Sequence, residues 1–317
     1  MTKPRILFMG TPAFALPALD TLLAGSFPVI AVVTQPDRPK GRGQKEIAPP
    51  VKLLAQKSGV PVMQPQAVKD PSFLEKFYSL KPDMVVVAAF GQILPKMIID
   101  FPPLGCLNIH PSLLPKYRGA APLNWSIIRG EKKTGVTIML MDEGMDSGDI
   151  LAQEETLLGD EETYGQLHDR LAKDGAALLM KTVARVISGK VQRQQQDPSG
   201  VTFAPRLTRE TGKINWRESA VHIANLIRGL CPSPAAYTFL DGQLLKIYAA
   251  VAEPDPTDQV PGTIGNPFTD GLPVATSDGH VILKDIQLAG KKRMLMTDFL
   301  RGYRLAPGSI LGSTTSK

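Results

Sequence analysis

Three continuous apolar runs lie near the start of the chain: Ile6-Leu7-Phe8-Met9, Val29-Ile30-Ala31-Val32-Val33 and Met84-Val85-Val86-Val87-Ala88-Ala89. A strand without polar alternation cannot sit on a half-solvated sheet. It needs cover on both faces, which parallel strands flanked by helices receive. Helical spacing falls between the runs, as at Leu16, Leu19, Leu22 and Leu23. Two further strands are expected at 105–110 and 136–142. A long helix is expected from a cap at Asp160 to Gly189, along Leu167, Leu171, Leu178, Leu179, Val183 and Val186. Alternation of this kind predicts an α/β fold, a doubly wound parallel sheet of Rossmann-like form.

The pattern changes after Gly189. Gln192-Arg193-Gln194-Gln195-Gln196-Asp197-Pro198-Ser199-Gly200 has no apolar periodicity and reads as a linker. Beyond it a helix is expected over 216–230, followed by strand signals. Tyr237–Leu240 and Leu244–Val251 flank Asp241-Gly242, a hairpin turn pair. Val274–Thr276 and Val281–Leu283 flank a second turn. The expected division is 1–189, linker 190–207, and a smaller β-barrel domain over 208–317. A length of 317 residues suits two domains of about 100–200 residues each.

Composition narrows the function. No apolar run reaches the ~20 residues of a membrane helix, and the greasy stretch at the start is too short for a signal peptide. Two cysteines, Cys106 and Cys231, cannot build a disulfide framework, so a reduced, cytoplasmic protein is expected. Four histidines without a CxxC or HExxH pattern argue against a zinc enzyme. Gly10-Thr11-Pro12-Ala13-Phe14-Ala15 stands where a dinucleotide fold would carry GxGxxG, but Pro12 replaces the second glycine, and no GxxxxGK[ST] exists. The net charge of +6 is concentrated. Residues 35–57 hold Arg38, Lys40, Arg42, Lys45, Lys52 and Lys57 against Asp37 and Glu46. Residues 281–317 hold Lys284, Lys291, Lys292, Arg293, Arg301, Arg304 and Lys317 against Asp285 and Asp298. Two such segments suit either a polyanionic partner or solvated faces.

Two polar constellations can carry chemistry. Asn108 and His110 are two apart on an expected strand, hence on one face, at the carboxyl edge where open α/β sheets place their sites. An amide donor and an imidazole together can bind a developing oxyanion and move a proton. The second constellation, Asp142-Glu143-Gly144-Met145-Asp146-Ser147-Gly148-Asp149, is carboxylate-rich but lacks the EF-hand pattern. Gly144 and Gly148 bracket Asp146 in a tight loop that can aim one carboxylate inward, where it would orient an imidazole.

Taken with Gln35-Pro36-Asp37-Arg38-Pro39-Lys40-Gly41-Arg42-Gly43, Asn108-Ile109-His110-Pro111-Ser112-Leu113-Leu114-Pro115, Tyr117-Arg118-Gly119-Ala120-Ala121-Pro122 and Asp146-Ser147-Gly148-Asp149, the chain resembles the 10-formyltetrahydrofolate-dependent formyltransferases. The 35–43 loop points to the branch acting on methionyl-tRNA. The resemblance spans nearly the whole chain. It implies a Rossmann-like domain, an OB-like C-terminal domain and no metal. It also implies transfer of a formyl group from 10-formyltetrahydrofolate to the α-amine of methionyl initiator tRNA. In that reading Asn108 and protonated His110 stabilise the oxyanion, while Asp146 orients His110 and relays the proton. The folate would lie on Phe90, Gly91, Gln92, Ile93 and Leu94 and on Ser112, Leu113, Leu114 and Pro115, with Asp142 nearby. The tRNA would meet Arg38, Lys40, Arg42, Lys45, Lys291, Lys292 and Arg293. A monomer is expected. One departure is Pro111, where relatives often carry glycine. Formylation of a small amine, or tRNA binding without catalysis, stays open at this stage.

Overall fold

A computed structural model describes residues 3–25, 27–40, 45–269 and 271–312. The expected tRNA-binding residue Arg42 lies outside these residues. Two compact units emerge: 1–119 with 133–157 and 168–203, and 120–132 with 158–167 and 204–317.

The first unit is built on a seven-stranded sheet. Its order is Ile150–Leu157, Lys133–Leu140, Cys106–His110, Met84–Ala88, Ile6–Gly10, Val29–Val33 and Val62–Met63. The five strands from Cys106–His110 to Val62–Met63 run parallel. Lys133–Leu140 and Ile150–Leu157 add an antiparallel edge. Burial explains the difference. The strands Ile6–Gly10, Met84–Ala88 and Cys106–His110 are buried at every position. Ile150–Leu157 is exposed along Gln153, Glu154 and Glu155, as an edge strand tolerates. Helices Leu16–Ala24, Pro50–Lys57 and Pro71–Leu80 supply crossovers. One core packs Leu7, Met9, Val33, Val85 and Val87 against Phe73, Phe77 and Ile98.

The long helix is Tyr164–Ile187, so Asp160 does not cap it. Thr163 does: its Oγ1 accepts from Gln166 N at 3.4 Å, and Gln166 Oε1 accepts from Thr163 N at 2.9 Å. That reciprocal pair is a capping box. Asp160 pairs instead with Lys132 at 3.1 Å.

In the second unit, antiparallel strands run in the order Ala236–Leu240, Gln243–Glu253, His280–Leu288, Leu272–Ala275, and Met294–Leu295 adds to His280–Leu288. Isolated bridges Lys213↔Tyr237 and Ile264↔Val274 extend the two edges. The Asp241-Gly242 turn forms as expected, with φ of 47° and 74°, both positive as a type I′ hairpin requires. The helix expected over 216–230 is Ala220–Gly229. Asn215 shortens it: its Oδ1 accepts from Arg217 N at 3.2 Å, turning the chain before Ser219 Oγ caps the helix through His222 N at 3.1 Å. Helix Pro122–Ile128 joins this unit, with Asn124 Nδ2 donating to Gly229 O at 2.8 Å.

Candidate active site

Asn108 and His110 lie on the Cys106–His110 strand, buried at 9% and 4% exposure, and the period-2 geometry gives them one face. Backbone carbonyls only accept, so His110 Nε2 donates to Tyr117 O at 3.0 Å, which leaves Nδ1 for the other side. There Asp146 Oδ1 stands 3.6 Å away, an ion-pair distance rather than a hydrogen bond. The second oxygen, Oδ2, accepts from Gly119 N at 2.8 Å. Both residues that serve His110 hold left-handed backbone, Tyr117 at φ 63° and Asp146 at φ 50°. Non-glycine residues adopt such angles at a cost that their surroundings must overcome. Tyr117 N is tied to Thr202 Oγ1 at 2.9 Å. Asp146 sits in a loop closed by Asp142, whose carboxylate accepts from Ser147 Oγ at 2.8 Å and Gly144 N at 3.1 Å. Pro111 also finds a place: Ser112 N donates to His110 O at 2.9 Å, a three-residue turn that the fixed φ of proline suits.

The expected folate residues divide by what their polar groups already do. Ser112 Oγ donates to Lys116 O at 2.6 Å, and Ser112 O accepts from Thr137 Oγ1 at 2.6 Å. Leu114 N donates to Thr137 Oγ1 at 3.2 Å, while Leu114 O accepts from Gln153 Nε2 at 2.8 Å. The backbone groups of these two residues are thus engaged within the protein, and Leu114, 3% exposed, packs in a buried apolar cluster with Met139, Ile150 and Met141. Leu113 and Pro115 belong to the same turn. Gln92 is spent bracing the preceding loop, accepting from Val68 N at 2.9 Å and donating to Pro65 O at 3.4 Å. Asp142 is spent inside its own loop. Phe90 and Leu94 are core residues, 2% and 3% exposed, whereas Ile93 is 87% exposed. Gly91 stays open: at φ 90°, a side chain there would meet nothing closer than Gln35, at 3.8 Å.

Sequence reasoning assigns no role to Gln35, Arg118 or Gln196. Gln35 Nε2 is buried without a hydrogen-bond partner. Its Oε1 accepts from Arg38 Nη2 at 3.1 Å, and its backbone N donates to Thr11 Oγ1 at 3.2 Å. The Thr11 hydroxyl in turn donates to Phe90 O at 2.9 Å. An orphaned amide donor beside an open glycine, itself just past the strand that neighbours Asn108, fits a flat ring with acceptors on its edge. Gln64 and Lys52 hold the Asp37 carboxyl below the usual carboxylate range. Lys52, at 2.6 Å from Asp37, is thus not a free cation.

The residues expected to meet tRNA fall in two places. Arg38–Lys40 pairs with Lys45–Ile47 as a two-stranded ribbon, Lys40 opposite Lys45, and Arg38 is exposed. Lys291 and Lys292 are exposed in the second unit. Arg293 is engaged: it reaches Asp285 at 2.6 Å and lies 4.2 Å from the Tyr248 ring centroid.

An amide, an imidazole and a carboxylate at the carboxyl edge of a Rossmann-like sheet are the kinds of group that can bind a developing oxyanion and move a proton. The formyl transferase family profile matches residues 4–183, and that of the formyl transferase C-terminal domain matches 206–304. The chain belongs to the formyl transferase family. Its curated relatives include the methionyl-tRNA formyltransferase of Syntrophus aciditrophicus, 54% identical over 98% of this chain and 100% of that one. The methionyl-tRNA formyltransferase of Geobacter sulfurreducens is 48% identical over 100% of this chain and 99% of its own. Among solved structures, the sugar 3N-formyl transferase WlaRD shares the fold, with TM-score 0.68 and 21% identity over 92% of this chain and 100% of that one.

Proposed function

We propose that this chain transfers the formyl group of 10-formyltetrahydrofolate to the α-amine of methionyl initiator tRNA, giving N-formylmethionyl-tRNA. The observation that carries this is the convergence of Asn108, His110 and Asp146 in a chain 54% identical to a methionyl-tRNA formyltransferase over 98% of its length. The folate, when bound, supplies an electrophilic formyl carbon on a nitrogen that can leave.

The chain's residues supply the rest. A free α-amine titrates near ~7.7–8.0, and the adjacent ester lowers it further, so the nucleophile needs no strong base. Asn108 donates its amide hydrogen to the oxygen on which negative charge develops. His110 assists from the same strand face. Its Nε2–H is committed to the Tyr117 carbonyl, so the proton in play is the one at Nδ1. Asp146 keeps one oxygen on Gly119 N and turns the other towards that proton, 3.6 Å from Nδ1 and within reach of a small shift that closes the hydrogen bond. Gly91, Ile93 and Leu113 would hold the pterin over the buried Leu114 cluster, with Gln35 Nε2 as an additional donor.

The division into a catalytic domain over 1–189, a linker over 190–207 and a tRNA-binding domain over 208–317 belongs to this reading. It is supported by the family profiles on either side of the linker. A monomer as the working unit belongs to the same reading. A role in translation and two buried free thiols support a cytoplasmic setting. The test offers 10-formyltetrahydrofolate with charged initiator tRNA, charged elongator tRNA, or small amines. Tetrahydrofolate should be released rapidly only with charged initiator tRNA. Equal release with an amino sugar would contradict the proposal.

A further inference from the structure

The segment after the long helix has no obvious chemistry, yet it reaches the carboxylate loop. Gln194 exchanges both backbone hydrogen bonds with Ile150, at 2.8 and 2.9 Å. Two residues on, Gln196 Nε2 donates to Asp146 O and to Gly148 O, each at 2.8 Å. The other end of the same amide, Oε1, accepts from Arg118 Nε at 3.1 Å and Arg118 Nη2 at 2.7 Å. Arginine only donates and carbonyls only accept, so the amide has a single possible orientation here. Its four hydrogen bonds use both donors and both lone-pair sites.

We propose that Gln196 is a positioning residue for formyl transfer, holding Asp146 in its left-handed conformation so that Oδ1 faces His110. This rests on the formyl-transfer reading of the site. Asp146 at φ 50° resides in a region disfavoured for a residue with a side chain. Two anchors oppose its escape. Gly119 N fixes the side chain through Oδ2, and Gln196 fixes the backbone by gripping the carbonyls of Asp146 and of the residue two beyond it. Arg118 and Gly119 are neighbours in sequence. One short strand therefore supplies both the hydrogen bond to Asp146 and the cation that orients Gln196. Glutamine suits this place as glutamate and methionine do not. Glutamate would keep the Arg118 pairing but set an oxygen against two carbonyl oxygens, and methionine would leave all four partners unanswered.

The test uses Gln196→Ala, Gln196→Glu, Asp146→Asn and the Gln196→Ala/Asp146→Asn pair, each assayed with methionyl initiator tRNA. Both Gln196 variants should lose about tenfold or more in kcat while KM for tRNA and for folate moves less than about twofold. Gln196→Glu, though isosteric, should be no better than Gln196→Ala. In the Asp146→Asn background, Gln196→Ala should cost almost nothing, because the group it positions is already gone. A kcat near wild type in both variants would overturn the proposal, as would losses that multiply in full. If wild type itself fails to formylate methionyl-tRNA, the functional reading is at fault. A crystal structure of Gln196→Ala then decides the positioning claim alone. Asp146 should leave the His110 edge, and an unmoved loop would overturn it.

Discussion

At His110 the two ring nitrogens face unlike partners, and this governs what the site can do. The Tyr117 carbonyl takes Nε2–H, so only the Nδ1 edge, which faces Asp146, is left for the proposed chemistry. His110→Ala and Asp146→Asn should each lower kcat by about 10²-fold or more, the scale of a missing preorganised group in acyl transfer. They act on one charge, so the double variant should lose far less than the product of the two, measured by single-turnover formylation. Asn108 and His110 are legible in the sequence because strand periodicity alone puts them on one face. Which polar atoms remain available is not legible there. Ser112, Gln92 and Asp142 look like ligand donors in a string of letters, but each is consumed by a partner distant in sequence or by its own turn. Cys106 shows burial acting on a single group. Desolvation, with a smaller contribution from Asp100, pushes its thiol up to about 12. An unfolded thiol ionises near about 8.5, so the unfolded state sheds its proton first as pH rises. Cys106 therefore supports the fold below that pH, and the support drains away towards pH 12. Denaturant unfolding between pH 8 and about 12 should show a decline that Cys106→Ala reduces.

Among elements, the sheet is legible where burial is continuous and less so at its edge. Val29–Val33 and Met84–Ala88 are covered on both faces and need no partner information. Ile150–Leu157 mixes glutamates with apolar residues, because one side of an antiparallel edge is wet, and single-sequence periodicity there is weak. The start of the long helix is ambiguous for a related reason. Asp160 and Thr163 both have capping side chains, and only the reciprocal bond from Gln166 favours Thr163. Gln196 is hidden by its surroundings, since a run of three glutamines gives no signal of which one is anchored. The carboxylate loop is the element most sensitive to bulk. A Cβ on Gly148 would lie 1.8 Å from Leu140 O, a backbone atom that cannot swing aside. Gly148→Ala should cost about 1–3 kcal/mol in denaturant unfolding. It should also reduce formylation, because Asp146 lies two residues before it.

Across the whole molecule, charge counting overstates what is free to meet a polyanion. Lys52, Arg293 and Arg301 are each paired with a carboxylate, at 2.6, 2.6 and 3.0 Å. Lys291 and Lys292 stay exposed, and their turn is held by Gln287 Nε2 donating to Lys291 O at 3.0 Å. If they touch phosphates, changing both to glutamate should weaken tRNA binding. The salt slope should then fall by nearly one unit for each phosphate left without its cation. An unchanged slope, read by filter binding across a salt series, would leave them as a solvated face. The central claim is that one chain joins a formyl group to the amine of methionyl-tRNA through Asn108, His110 and Asp146. The most direct measurement is chemical. Charged initiator tRNA is incubated with 10-formyltetrahydrofolate and the protein, the ester is hydrolysed, and the released amino acid is identified by mass. Wild type should yield N-formylmethionine, with Asp146→Asn slower by about 10²-fold. Recovery of unmodified methionine with the wild type, or undiminished formylation by Asp146→Asn, would contradict the account.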